Sequence, residues 1–472
     1  MKKFLALVAA VALVLGVGSV AYANYCATDV VPAATILYPF VQYNYTDPNN
    51  NTLFSVTNVS NEAVIVHFTL WTDYSVGVVD WNVVLSGYDV QTFSIRDILD
   101  NPGQLPSTGT GNTDGEWASQ DQADGVGPVP HNLRASVSTT TLANVCNPNF
   151  EAYPSFPPFP QQFKDFMSGL LTASQTVTRA HIDCNGATVV YGDWFEARTT
   201  ADPTWMYITA DVVYSCNKMF PASSANYWVD GATNTGTTPY DIATGPQAEY
   251  DNVLIGDIFY INDAQNFSEA LNAVSLEADP NANQNPTFYQ QYSNGTDGRE
   301  PLPTGWAFRY LNQGTAMSTQ IRVFKRASST ANGYIGVHDL ISDAGVGTAP
   351  TYLFADDTIP YSMYIWDEGE EALLWTGSTP PWSPSPKFCR INLFPLETQQ
   401  VDISQFAVPF TSGWALLVYP PSTTNNGGTN GGSADNYQVY VSTRHSAMGR
   451  YSAALQGAVI YNANCNIDDV LP

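Results

Sequence analysis

The sequence predicts an all-β fold of sandwich modules with two short helices. Three observations carry that prediction. Strand-length segments alternate apolar and polar residues, as in Thr52–Asn58 (TLFSVTN) and Ala63–Trp71 (AVIVHFTLW). Turn residues interrupt the chain roughly every ten positions, the spacing of short strands in a sandwich. Aromatics make up 13% of the chain, with 27 Tyr, 22 Phe and 11 Trp, while charged residues are also only 13%. That composition suits pleated, half-buried surfaces.

The first module is expected over 24–150. Thr52–Asn58 reads as a strand, Val59–Glu62 as a turn and Ala63–Trp71 as a second strand. In the latter, Val64, Val66, Phe68 and Leu70 face one way, and Ile65, His67, Thr69 and Trp71 the other. Asp80–Leu85 and Gln91–Ile95 follow as strands, and 101–130, rich in Gly, Pro, Ser and Asp, reads as a loop. Leu133–Val145 returns to strand.

A middle region is expected over 151–300. The Pro-rich stretch Pro154–Pro160 is a stiff linker. Phe163, Phe166, Met167, Leu170 and Leu171 share one helical face. Strands are expected at Thr176–Asp183, Ala187–Ala197, Thr204–Ser215 and Asn252–Ile261. A second helix is expected over Ala264–Leu276, capped by Asp263, with Phe267, Leu271 and Val274 packing inward.

A second module is expected over 301–472, as a duplicate of the first. Phe308–Asn312 echoes Phe54–Asn58, Thr319–Phe324 stands for Val64–Thr69, and Gln399–Phe406 echoes Gln91–Ile98. The order strand, Asn turn, long strand, closing strand resembles the immunoglobulin-like modules of bacterial surface proteins. Asn252–Asp257 (NVLIGD) with Phe259-Tyr260, and Arg299–Pro303 (REPLP) leading to Trp306 and Arg309-Tyr310-Leu311, resemble exported bacterial proteins without an assigned activity. The resemblance implies export and a β architecture, and it carries no catalytic residues.

Export is also read directly. Met1-Lys2-Lys3, an apolar run from Phe4 to Val20 and Ala21-Tyr22-Ala23 form a secretory signal peptide, 1–23, cleaved before Asn24. No later stretch is apolar for the ~20 residues that span a bilayer. Acidic residues outnumber basic ones 43 to 17, a net charge of −26, which disfavours nucleic-acid and anionic-membrane partners. The six cysteines are Cys26, Cys146, Cys184, Cys216, Cys389 and Cys465, widely spaced and without C-x-x-C. In an exported chain they are disulfide candidates. Six cysteines allow 15 pairings; the pairing taken here joins Cys184 to Cys216, Cys26 to Cys465 and Cys146 to Cys389.

The sequence offers little chemistry. G-x-S-x-G and H-E-x-x-H are absent, and the five histidines are scattered. Asp367, Glu368, Glu370 and Glu371 beside Trp366 and Trp375 provide the acids a glycosidase needs, although a solvated acidic turn explains them more simply. Calcium is the cofactor candidate, through Asp114, Glu116, Asp121, Asp124 and Asp297 in Gly-rich loops, none of which completes an EF-hand pattern. Trp366, Trp375 and Trp382, with Trp71 and Trp81, are candidate ligand-binding aromatics. The expectation is a non-catalytic structural or interaction protein, secreted to the cell surface, periplasm or medium. Binding of carbohydrate or a small ligand is the alternative, and a hydrolase of unfamiliar type the second alternative. Unpaired strand edges leave self-association open.

Overall fold

The computed structural model describes residues 30–44, 47, 49–72, 77–100, 179–182, 188–191, 204–213, 248–262, 267–278, 299–325, 352–353, 361–376, 398–406, 408–419, 438–448 and 451–461. They form two β-sandwiches. The first contains β1 (Thr35–Tyr43), β2 (Asn50–Asn58), β3 (Val64–Thr72), β4 (Gly77–Leu85) and β5 (Val90–Ser94), then a helix α1 (Ile95–Asp100). After β6 (Arg179–Ile182) and β7 (Thr188–Tyr191), it resumes with β8 (Thr204–Val213), β9 (Leu254–Asn262), β10 (Phe267–Asn272) and β11 (Val274–Leu276). A five-stranded sheet, β11-β1-β8-β3-β4, faces a four-stranded one, β10-β9-β2-β5, and all pairs are antiparallel.

The second sandwich contains β12 (Gly305–Leu311), β13 (Met317–Lys325), β15 (Ser362–Asp367), β16 (Ala372–Thr376), β17 (Thr398–Asp402), a 3-10 turn (Ile403–Phe406), β18 (Ser412–Val418), β19 (Val439–Ala447), β20 (Tyr451–Gln456) and β21 (Ala458–Tyr461). Its sheets are β21-β12-β18-β15-β16 and β20-β19-β13-β17. The short β14 (Tyr352–Leu353) joins β6 and β7 in a separate three-stranded sheet.

Taken in chain order, the nine strands of each sandwich occupy the same places. β1 corresponds to β12, β2 to β13, β3 to β15, β4 to β16 and β5 to β17. The last four, β8 to β11, correspond to β18 to β21. Registers agree as well: Phe54 lies opposite Phe93 and Ile258, and Ile321 opposite Val401 and Thr443. The Gln91–Ile98 and Gln399–Phe406 echo marks truly equivalent corners, where α1 buries Ile95 and Ile98 and the 3-10 turn buries Ile403 and Phe406. The other two echoes are displaced by one strand. An apolar residue at every second position recurs on every strand facing a core, so it cannot identify which strand it belongs to. The strand order also differs from an immunoglobulin constant domain. There the first two strands share a sheet, whereas β1 and β2 lie in opposite sheets.

The boundary expected at residue 150 falls inside the first sandwich, because β8 inserts between β1 and β3 and β9 pairs with β2. The helix expected over 264–276 is replaced by β10 and β11. On β10, Ser268, Ala270 and Asn272 face solvent and Glu269 is buried. A charged residue at an inward position masks the period of two, leaving a spurious helical spacing. The helix expected near Phe163–Leu171, the strand Leu133–Val145 and the Pro-rich linker lie outside the described residues.

The first core is centred on aromatic rings. Phe54 packs on Tyr38, Phe93 and Phe68 at 5.0, 5.1 and 6.2 Å. The Tyr38 hydroxyl donates to Ser55 O at 2.7 Å, and a Cβ on Gly256 would sit 2.7 Å from that hydroxyl. Gly256 is therefore required by close approach. β3 is buried on both sides, because its outward residues Ile65, His67, Thr69 and Trp71 are covered as completely as its inward ones.

The two sandwiches share a buried interface. The connecting segment Arg299–Pro303 (REPLP) lies in it. Arg299 Nη2 donates to Glu249 O at 2.7 Å and its Nε to Thr35 Oγ1 at 3.0 Å, while Pro303 O accepts Val439 N at 2.9 Å. Beyond it, the outward face of β17-β13-β19-β20 meets the end of the first sandwich. Arg322 Nη2 donates to Glu269 Oε1 at 2.6 Å and its Nε to Gln400 Oε1 at 3.0 Å. Its guanidinium lies over the Tyr260 ring, 4.4 Å from the centroid. Arg444 approaches the same carboxylate at 3.6 Å, and Ser452 Oγ donates to Glu269 Oε2. A β-bulge in β1 frees two carbonyls, one answered across the interface and the other within the first sandwich. Thr398 Oγ1 donates to Pro39 O, and Tyr260 Oη to Phe40 O, both at 2.7 Å.

Glu269→Gln leaves the buried Arg322 guanidinium, with the partly buried Arg444 beside it, facing a neutral amide. The expected loss is about 3–5 kcal/mol of unfolding free energy, the cost of breaking a buried pair from one side, read by urea denaturation of the full chain.

Candidate interaction surface

The outward face of β21-β12-β18-β15-β16 carries an aromatic row. Alternation along β15 turns Met363 and Ile365 into the core and leaves Tyr364 and Trp366 outside. On β18, Ala415 and Leu417 are buried and Trp414 is outside. Register then brings the row together, since Trp414 lies opposite Trp366 on one side and Arg309 on the other. The Trp366 and Trp414 rings are stacked at 3.9 Å and 11°, and Tyr364 continues the row at 5.9 Å and 19° from Trp366. Trp414 is 39% exposed and Tyr364 37%.

The backbone beneath is tightly specified. A Cβ on Gly413 would lie 1.9 Å from the Trp366 carbonyl oxygen. The same oxygen accepts a hydrogen bond from Tyr310 Oη at 2.9 Å. Burial, followed by the nearby charges of Asp367 and Glu368, pushes the Tyr310 phenol up to about 12, so it remains a donor at neutral pH.

The acids beside the row form a turn. Asp367 Oδ1 accepts Gly369 N at 2.9 Å and Glu371 N at 2.7 Å, and Glu370 sits at φ 67°. Glu368 pairs with Arg309 across the surface. Asp367 is thus committed to the turn and Glu368 to Arg309, which is the solvated-turn arrangement. Trp375 pairs by backbone with Met363 on the neighbouring strand, and Trp382 lies outside the described residues. Trp71 is not available to a ligand: it is fully buried, and its indole N–H donates to Thr209 Oγ1 at 3.0 Å.

The six cysteines and the calcium candidates Asp114, Glu116, Asp121, Asp124 and Asp297 lie outside the described residues. Among the described residues no group of three or more His, Cys, Asp or Glu could hold a metal, and no helix is long and apolar enough to cross a membrane. His67, on the outward side of β3, is buried. His445 sits between the Thr319 and Thr443 hydroxyls at 3.0 and 3.1 Å.

Sequence reasoning singled out Trp366 and missed Tyr364, Trp414 and Arg309. The signal for Tyr364 and Trp414 was local alternation, but nothing local shows that β15, β18 and β12 lie side by side.

No family model matches the chain, and no curated protein matches it. A crystal structure of Streptomyces avermitilis α-L-rhamnosidase complexed with L-rhamnose aligns over 92% of this chain and 28% of that chain, at 6% identity and a TM-score of 0.16. The chain thus spans less than a third of that protein's length, and the likeness establishes no shared fold.

Two outcomes test the local structure. Gly413→Ala is expected to cost about 3 kcal/mol or more by forcing β15 and β18 apart, with loss of the Trp366–Trp414 near-UV circular dichroism signal. Burial, then the Arg309 charge, lowers the His445 pKa. The unfolded chain therefore binds the proton more readily, and the His445 contribution is present above about pH 6.5 and lost as pH falls below it. His445→Gln should flatten the pH dependence of the urea midpoint in that window.

Proposed function

We propose that the chain is an exported, non-catalytic structural or interaction protein of the cell surface or extracellular space, which works by contact through the Tyr364–Trp366–Trp414 face. The observation that carries the reading is that row of stacked rings, open to solvent on a sheet whose backbone leaves no slack. Rigid aromatics offer contact area at low entropic cost. The commitment of Asp367 and Glu368 to turn and ion pair supports binding over hydrolysis. The signal peptide and the net charge of −26 support work outside the cytoplasm. Protease treatment of intact cells should release peptides of this chain; recovery solely from the periplasm would refute the surface location.

A second reading, carbohydrate binding, is supported by the exposed Tyr364 and Trp414 rings at the two ends of the row, because sugars stack on aromatic faces and Trp366 has neighbours on both of its own. Glycan-array binding abolished by Trp366→Ala and Trp414→Ala would establish it, and silence across a broad array would count against it.

A further inference from the structure

The interface between the two sandwiches is a worked example of how this fold binds itself. The face that docks is the outward side of β17-β13-β19-β20, led by Phe324, Arg322 and Tyr440. The face that receives includes Tyr207 of β8, stacked on Trp71 of β3 at 5.8 Å and 6°. Phe324 meets the Tyr207 ring edge-on at 4.9 Å, and Tyr440 meets Phe40 at 6.1 Å.

Each face has an equivalent elsewhere in the molecule. β3 and β8 correspond to β15 and β18. Trp71 lies opposite Tyr207 and Gly77, and Trp366 lies opposite Trp414 and Ala372. The solvent-facing Trp366–Trp414 stack therefore repeats the buried Trp71–Tyr207 stack. The docking face likewise repeats as the outward side of β10-β9-β2-β5. The trio Thr398, Phe324 and Tyr440 matches Val90, Thr57 and Ile255, and the pair Gln320 and Arg444 matches Leu53 and Phe259. This second docking face sets Leu53, Ile255 and Phe259 among Ser55, Thr57 and Asp257, and it is open to solvent at Val90 (56% exposed) and Phe259 (40%).

The charges of the internal interface have no counterparts at the equivalent positions. The cations of the internal docking face, Arg322 and Arg444, correspond to Ser55 and Phe259. The anion that receives them, Glu269 opposite Tyr260, corresponds to Ala453 opposite His445. Neither open face therefore carries an equivalent of Arg322, Arg444 or Glu269, and a contact between them requires no buried ion pair.

We infer that the chain associates with copies of itself head to tail, the outward face of β10-β9-β2-β5 of one copy docking on the Trp366–Trp414 face of the next. This rests on the reading of the aromatic row as a binding surface and names its partner. The two faces differ, so the contact is heterologous, and each copy leaves one face open for another.

The test is sedimentation velocity on the purified exported chain over a concentration series, with Trp414→Glu and Phe259→Glu as variants at exposed positions and far-UV circular dichroism as the folding control. The wild type is expected to grow past the dimer. Each variant alone should associate about 30-fold or more weakly, the loss expected of a buried aromatic anchor. An equimolar mixture of the two should form a dimer and stop there, because it contains one working pair of faces. A monomeric wild type, a wild type that stops at two copies, or association indifferent to both substitutions would overturn the inference. A monomeric wild type that captures glycans through Trp414 would refute self-association while the binding-surface reading stands; a monomeric wild type with no glycan binding would count against both.

Discussion

The arrangement of the two sandwiches depends on a buried ion pair, Arg322 with Glu269, both side chains essentially without solvent contact. Such a pair contributes little net stability, because desolvating both ions offsets most of their attraction. Its effect is on geometry. Misplacing either partner would strand a charge in a low-dielectric interior, so the alternatives are costly while the observed packing is merely acceptable. Around the pair, the Tyr260 and Trp205 rings accept the guanidinium on their faces. The Thr398 and Tyr260 hydroxyls answer the carbonyls freed by the β1 bulge. Without the second sandwich Pro39 O and Glu269 would have to find other partners, whereas Phe40 O would keep the Tyr260 hydroxyl.

The repeated strand order gives the same scaffold two outcomes. Inward faces are alike in both copies, since any sandwich needs an apolar core. Outward faces diverge. The five-stranded sheet of the first copy has its stacked aromatic pair covered, and that of the second has its pair open. The four-stranded sheet shows the reverse: its second copy is covered and its first is open. One covered and one open version of each surface is the outcome when a module packs on its own repeat without closing a ring.

Much of the local structure was legible. β2, β3, β8 and β9 follow directly from alternation, and the strand-to-helix corner at Ile95 and Ile403 is recognisable in both copies. β10 was not, because Glu269 occupies an inward position for the sake of an arginine 53 residues away. Nor could alternation distinguish Asn58 from Asn312. Both tie loops by side-chain hydrogen bonds to backbone carbonyls, at Glu62 and Ser86 in one case and Val408 and Phe410 in the other, but they stand on non-equivalent strands.

By itself, the sequence determined the class of fold, the strands that alternate cleanly and the placement of Trp366 beside an acidic turn. These are properties of neighbouring residues, set by the period of two and by turn chemistry. Only the tertiary structure decided which strands lie side by side, that Trp71 is covered while Trp366 is half-buried in a row that reaches solvent, and that Trp414 and Arg309 complete the surface. Those outcomes depend on strands remote in sequence, and on whether a face that local pattern marks as outward is left to water or met by another sheet.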